Sequence, residues 1–353
     1  MVSCLTHIYK DSNMTFLEQL EIEKILKQYS LNVINIQKIR SVYKINTPND
    51  CYCLKKIGNG EKRAIKSINI MEYLRMKGFN KVAKPIRSIS GEMIIQRKNS
   101  TYYLTNWINA DEVNFNVSEH IIDSVTLLAE FHNKAKGFYS KKIKIKNNIG
   151  KLPKIFSDKL NSLNSFKDYL KNKDNKNDFD NLYYNNVDYY INQAQQALNI
   201  LRNSNYNTLC EEYKKEMYLC HNSFYYQNIL KSESNGYYII DLESCLYDIP
   251  VIDLGKFIRR IMWRKSFLWD FDMCKALISE YDSIRKISEK EYKILLAMQI
   301  FPYKFYRLGR KKYQKKKKWK EDRYYRKLNK ILRYREDKEI FIEKFIENYY
   351  IKT

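Results

Sequence analysis

Between Leu219 and Leu242 the chain reads LCHNSFYYQNILKSESNGYYIIDL, and three of its residues are of types that handle metal and phosphate. His221 and Asn228 stand seven apart, and Asp241 follows thirteen residues later, at the end of the apolar run Tyr237–Ile240. An asparagine amide and an aspartate carboxylate brought together by a hairpin suit a magnesium ion that bridges nucleotide phosphates. A lysine on an upstream strand would neutralise phosphate charge. Lys55, in Tyr52–Cys53–Leu54–Lys55, fits that part, and Lys56 points to the opposite strand face and fits less well. Glu61 and Glu72 lie on the next helix, and either could be an ion-pair partner for Lys55. His221 suits a bracing hydrogen bond better than chemistry, His132 suits helix packing, and Asp253 suits a helix N-cap.

These residues need a strand and a hairpin to position them. Residues 14–29 carry apolar positions at helical spacing and predict an amphipathic helix. Val33 to Tyr43 runs on into Lys44–Thr47 in extended form, Pro48–Asn49–Asp50 marks a turn, and Cys51 to Ile57 resumes as a strand. Glu61 to Lys77 reads as a helix stopped by Gly78, and Glu92–Gln96 with Thr101–Trp107 reads as a second hairpin. After Ile108 the pattern turns helical. Val117–Ala135 and 182–203 are helices, 141–181 reads as a Lys/Asn-rich, partly ordered arm, and strand pieces flank a turn at Asn235–Gly236. The expected fold is α+β and two-lobed. A small lobe spans 1–107 with an antiparallel sheet, and a large, mainly helical lobe spans 108–353. The extended crossing Thr105–Asn106–Trp107–Ile108 joins them, and Thr105 and Trp107 on it are expected nucleotide contacts.

With these residues in view, the chain resembles the CotS family of spore coat proteins, within the aminoglycoside phosphotransferase and choline kinase-like superfamily. The resemblance rests on Tyr43–Lys44–Ile45 with Leu54–Lys55, on Glu72–Tyr73–Leu74 before Gly78–Phe79, and on Leu128–Ala129–Glu130–Phe131–His132. It continues through Ile240–Asp241–Leu242–Glu243, Asp253–Leu254 and Phe301–Pro302–Tyr303–Lys304–Phe305, and covers about residues 40–345. It implies a kinase-like fold able to take ATP and Mg²⁺, a place in the spore coat, and other spore coat proteins as partners. It also implies a nucleotide or a small hydroxylated molecule as a ligand.

One position departs from the superfamily pattern. Two residues after His221, the kinases it resembles carry the aspartate that accepts the acceptor hydroxyl's proton, and here Ser223 stands in its place. A serine hydroxyl is no base near neutral pH unless another group activates it. Asn222 replaces the commoner glycine before it, and Gln37 to Asp50 contains no glycine, so no Gly-rich phosphate loop is present. The expectation is a kinase-like coat component with impaired phosphotransfer, set against an active small-molecule kinase.

Composition bounds the rest. At 353 residues with 44% apolar residues, 9 Gly and 5 Pro, the chain suits two packed lobes rather than disorder or a repeat array. No run of about 18 apolar residues predicts a membrane span, and Met1–Met14 lacks a secretory signal pattern, so synthesis in the cytoplasm is expected. The seven cysteines are scattered without metal-site spacing, and reduced thiols are expected. The net charge is +24. Residues 304–335 hold 16 lysines and arginines against two acids, with Lys315–Lys318 in a row and Tyr306, Tyr313, Trp319, Tyr324 and Tyr325 between them. The favoured reading is a helical face packing its aromatics and pointing lysines to water. Nucleic acid is the less favoured partner, since no nucleic-acid-binding motif is legible.

Overall fold

The computed structural model describes residues 14–350. The segment read for a leader therefore lies, but for Met14, outside the described residues. The chain runs α1 (Phe16–Leu26), β1 (Asn35–Ile39), β2 (Val42–Asn46), β3 (Cys51–Gly58), α2 (Glu61–Met76), β4 (Pro85–Ile86), β5 (Ile95–Arg97), β6 (Ser100–Asn106), β7 (Asp111–Glu112) and α3 (Ser118–Ala135). It continues through α4 (Leu152–Lys171), α5 (Asp178–Arg202), α6 (Tyr206–Glu216), β8 (Leu219–Cys220), β9 (Ile229–Ser232), β10 (Gly236–Ile239) and β11 (Leu246–Tyr247). Helices α7 (Val251–Met262), α8 (Phe271–Ile284), α9 (Glu289–Ile300), α10 (Tyr303–Gly309), α11 (Glu321–Arg333) and α12 (Arg335–Tyr349) complete it. The fold is mixed α+β, as expected.

Two compact units make up the chain. The first takes residues up to Asn114, Glu130–Lys146 and His221–Leu246, and the second takes Phe115–Ala129, Asn147–Cys220 and Tyr247 onward. The loop carrying His221 and Asn228 thus belongs to the same unit as Lys55.

In the first unit an antiparallel sheet has the order β1-β2-β3-β6-β4, with β5 also paired to β6. Helix α1 covers one face, burying Ile22, Ile25 and Leu26 among Tyr43, Ile45, Leu54, Tyr102 and Leu104. Strand alternation decides the role of the two lysines. Lys56 faces α1, where it pairs with Glu21 at 3.1 Å, and Lys55 faces the other way. The run read as continuous from Val33 is broken at Arg40–Ser41, so that Ile39 pairs with Val42 in a tight hairpin. Arg40 takes the left-handed φ of 55° that the turn demands. Glycine or asparagine is the usual signal for that geometry, and neither is present.

The second unit is helical. The segment expected to be a partly ordered arm contains α4, a helix of 20 residues. Its Leu152, Phe156, Leu160, Leu163, Phe166 and Leu170 recur every three or four residues and are all buried. Lysines and asparagines fill the outer face and mask that period in the composition. Most aromatics of the basic region pack inward, and Tyr325 is exposed. Phe305 stacks on Tyr183 and Tyr190 at 4.1 and 3.9 Å, Tyr313 lies 5.4 Å from Tyr183, and Tyr324 is fully buried. Lys315–Lys318 are exposed. Among the described residues no helix is long and apolar enough to cross a membrane.

Asp248 is buried in the second unit, where its Oδ1 accepts from the Ile249 amide at 3.0 Å. Burial pushes its carboxyl up to about 7, against the pull of Lys256. The folded form therefore holds a proton that the unfolded chain gives up near pH 4, so stability from this group is present at low pH and is lost as pH rises to about 7. Denaturant unfolding should show the difference between the parent protein and Asp248→Asn shifting in the variant's favour from pH 4.5 to 7.5, by up to about 1.4 kcal/mol per pH unit. A pH-independent difference would refute the assignment.

Candidate nucleotide and metal site

β3 delivers Lys55 and the β9–β10 hairpin delivers Asp241, and the two side chains meet. The Lys55 Nζ lies 2.8 Å from Asp241 Oδ1 and 2.7 Å from Glu243 Oε1. Burial works against the ammonium, but Tyr103, Asp241 and Glu243 outweigh it and raise the Lys55 pKa. Arg63 of α2 adds a longer contact to Glu243 at 3.8 Å. Neither helix acid supplies the counter-charge to Lys55, since Glu72 pairs instead with Arg87 at 3.1 Å and α2 turns Arg63, Ser67 and Met71 to the cavity. Glu243 was legible only as the residue two beyond Asp241, where an Asp-x-Glu spacing is the available signal.

The turn after β8 is held by a small hydrogen-bond circuit. The Ser223 amide donates to His221 Nδ1 at 3.3 Å, and His221 Nε2 lies 3.0 Å from the Ile240 carbonyl oxygen. That pair of contacts assigns the neutral imidazole with its proton on Nε2. Fully buried and in ring contact with Phe131 and Phe224, His221 braces the loop. Asn228 donates its Nδ2 to the Ser223 carbonyl at 2.9 Å, which leaves the amide oxygen as the atom able to ligate a cation. The Asn228 backbone carbonyl accepts from Ile240 at 3.0 Å and ties the loop to the residue before Asp241. Ser223 Oγ reaches only the Asn228 amide, at 3.5 Å, and donates to no carboxylate among the described residues.

A cavity of about 1040 Å³ opens in this unit, lined by Lys55, Thr105, Trp107, Asn228, Asp241 and Glu243. It brings together the five residues expected to contact nucleotide or metal. Thr105 is buried on β6 opposite Cys53, and the Trp107 amide donates to the Cys51 carbonyl at 2.8 Å. Arg40, on the β1–β2 turn at its rim, pairs with Glu112. His221 and Ser223 do not line the cavity. A cavity of this size, with the half-buried Lys55 and the carboxylates of Asp241 and Glu243 beside the Asn228 amide oxygen, has room for a nucleotide and groups able to hold a hard divalent cation.

A strand lysine, a hairpin aspartate and a loop asparagine meet here on a framework of the kinase-like fold. Among solved structures, an aminoglycoside phosphotransferase from Alicyclobacillus acidocaldarius matches with a TM-score of 0.82 at 19% identity, covering 93% of this chain and 96% of that one. A spectinomycin phosphotransferase solved with ADP and spectinomycin matches with a TM-score of 0.56 at 12% identity, over 89% and 93% of the two chains. These likenesses concern the fold. Residues 22–345 match the family described as spore coat putative kinase YutH, and the chain belongs to that family. Spore coat protein S of Bacillus subtilis (strain 168) is 23% identical over 346 residues, 94% of this chain and 95% of that protein. The spore coat resemblance read from the sequence is borne out.

Asn222 holds a left-handed φ of 63°, which explains why glycine is the commoner residue there and asparagine the tolerated substitute. Asn222→Gly should be neutral within a few tenths of a kcal/mol, whereas Asn222→Ala should cost about 1–2 kcal/mol in denaturant unfolding. Equal stability of the two variants would remove the backbone explanation.

Proposed function

We propose that this protein is a structural component of the spore coat whose kinase-like site binds nucleotide with magnesium but transfers phosphate poorly. Ser223 carries the reading: the hydroxyl stands where a base is needed and lacks a carboxylate to activate it. Loss of a general base costs about 10²–10⁴-fold in rate. Coat residence, with other coat proteins as partners, rests on the family and on the name of its Bacillus relative.

In this reading Asn228 Oδ1 and Asp241 would hold Mg²⁺, which when bound shields the charge of the nucleotide phosphates. Lys55, now paired with Asp241 and Glu243, would supply positive charge to phosphate oxygens, and the Asp241 carboxylate would then be free to ligate. Thr105 and Trp107 border the space for the rest of the nucleotide. His221 keeps the loop in register through Ile240. A second reading, an active phosphotransferase acting on a small hydroxylated acceptor, is favoured by the meeting of Lys55 with Asp241 beside Asn228. Positioning and charge alone sustain some transfer through a loose transition state.

Calorimetric titration with ATP should show binding that strengthens with magnesium and weakens at least tenfold in Lys55→Met. Absence of binding in the parent protein removes the nucleotide part of the proposal. Turnover with candidate hydroxylated acceptors should be weak, and Ser223→Asp should raise it by as much as about 10²–10⁴-fold. Robust magnesium-dependent turnover by the unmodified protein, abolished by Glu243→Gln, would establish the active enzyme instead.

A further inference from the structure

A second cavity, of about 240 Å³, lies wholly within the helical unit, between α10 and α11. Five cations line it: Lys304, Arg307 and Lys311 from α10 and the turn that follows, and Lys327 and Lys330 from α11. No acidic side chain is among its lining residues. The two acids of the basic region are engaged elsewhere, Glu321 with Lys312 and Asp322 with Arg326 at 3.0 Å. The cations are held rather than splayed. Lys304 lies 5.5 Å from the Trp263 ring, and Trp319 carries Lys311 at 4.4 Å, Arg323 at 4.2 Å and Lys327 at 5.7 Å.

This arrangement is repulsive as it stands. Lys304 keeps an exposed face, yet lost hydration together with Arg307, Arg259, Lys330 and Lys327 brings it down to about 8. Lys311 is lowered by lost hydration and by Arg307, Lys327, Lys317 and Arg323. Arg259, outside the lining, stacks on the Tyr303 ring at 3.8 Å and adds a further buried cation near Lys304 and Arg307. Lys311 sits on a π-helical turn, Arg310–Gln314, a local irregularity that recurs at binding sites. Charges placed only for solubility are spread over a surface with both signs interspersed. Here they converge on one cup from two helices.

We propose that this cup binds a compact polyphosphate anion, a small phosphorylated molecule carrying two or more phosphoryl groups. Its volume leaves room for such a group. A nucleic-acid strand needs a groove several nucleotides long with open aromatic faces, whereas the Trp319 face is already covered by cations. The anion lowers the repulsion among the five cations and takes charge-assisted hydrogen bonds from them. The site is separate from the Lys55 cavity in its residues and in the need for magnesium.

The test is calorimetry with inorganic tripolyphosphate, without magnesium, at about 0.15 M salt, with tryptophan emission as a second readout. The parent protein and Lys55→Met should bind alike. The double variant Lys304→Gln/Lys327→Gln should bind at least about tenfold more weakly while unfolding no earlier than the parent, since it removes repelling charges. Lys315→Gln/Lys316→Gln, with the same charge change on the exposed tract, should bind within about twofold of the parent. A phosphorylated metabolite as the natural source would show as tighter binding of inositol hexakisphosphate than of tripolyphosphate, and free polyphosphate as the reverse order. Three results would overturn the proposal: no binding, equal losses in both double variants, or tighter binding of a single-stranded oligonucleotide weakened by the same cup substitutions.

Discussion

The contact between the Lys55 ammonium and the carboxylates of Asp241 and Glu243 is the constraint around which the first unit is organised. Residues 186 apart in the chain meet at 2.8 Å, and each partner is delivered by a rigid element. Lys55 is fixed by pairing of β3 with β2 on one side and β6 on the other. Asp241 is fixed by the β9–β10 ladder and by the backbone bond from Ile240 to Asn228. A largely buried ammonium without acid partners would lose its charge or destabilise the fold. Two carboxylates keep it charged.

That constraint explains details with no evident role of their own. The left-handed φ of Asp241 (64°) and of Asn222 (63°) cost energy at non-glycine residues. They mark where the backbone bends to present a carboxylate on one side of the hairpin and to close the His221 circuit on the other. His221, fully buried, spends both ring nitrogens on that circuit. The loop is thus fixed at both ends, with the Ser223 hydroxyl at its turn.

The helical unit distributes its charge differently. Its core is aromatic, with Tyr183, Tyr190 and Phe305 stacked and Gly309 leaving room where a Cβ would come within 2.2 Å of the Tyr183 hydroxyl. Burying Phe305 and Leu308 of α10 leaves Lys304, Arg307 and Lys311 on the other side of the same stretch, because helical residues three and four apart share a face. Packing of the aromatics therefore concentrates positive charge even though each lysine, taken singly, is an ordinary surface residue.

Sequence alone singled out five residues that line one cavity, and the framework for them. Lys55, Asn228 and Asp241 were legible because strand alternation, a hairpin turn and ligand types coincide, and the α+β class followed from the order of periodic segments. It also separated Lys55 from Lys56, since period two sends neighbours to opposite faces. The break at Arg40–Ser41 was hidden because an arginine takes a φ usually left to glycine, and α4 was hidden because its apolar period is embedded in lysine and asparagine. Only the tertiary structure chose Glu243 over the helix acids as the second partner of Lys55. It alone set five cations around one cavity, because through-space pairing between distant segments depends on how the elements pack and leaves no local periodic trace.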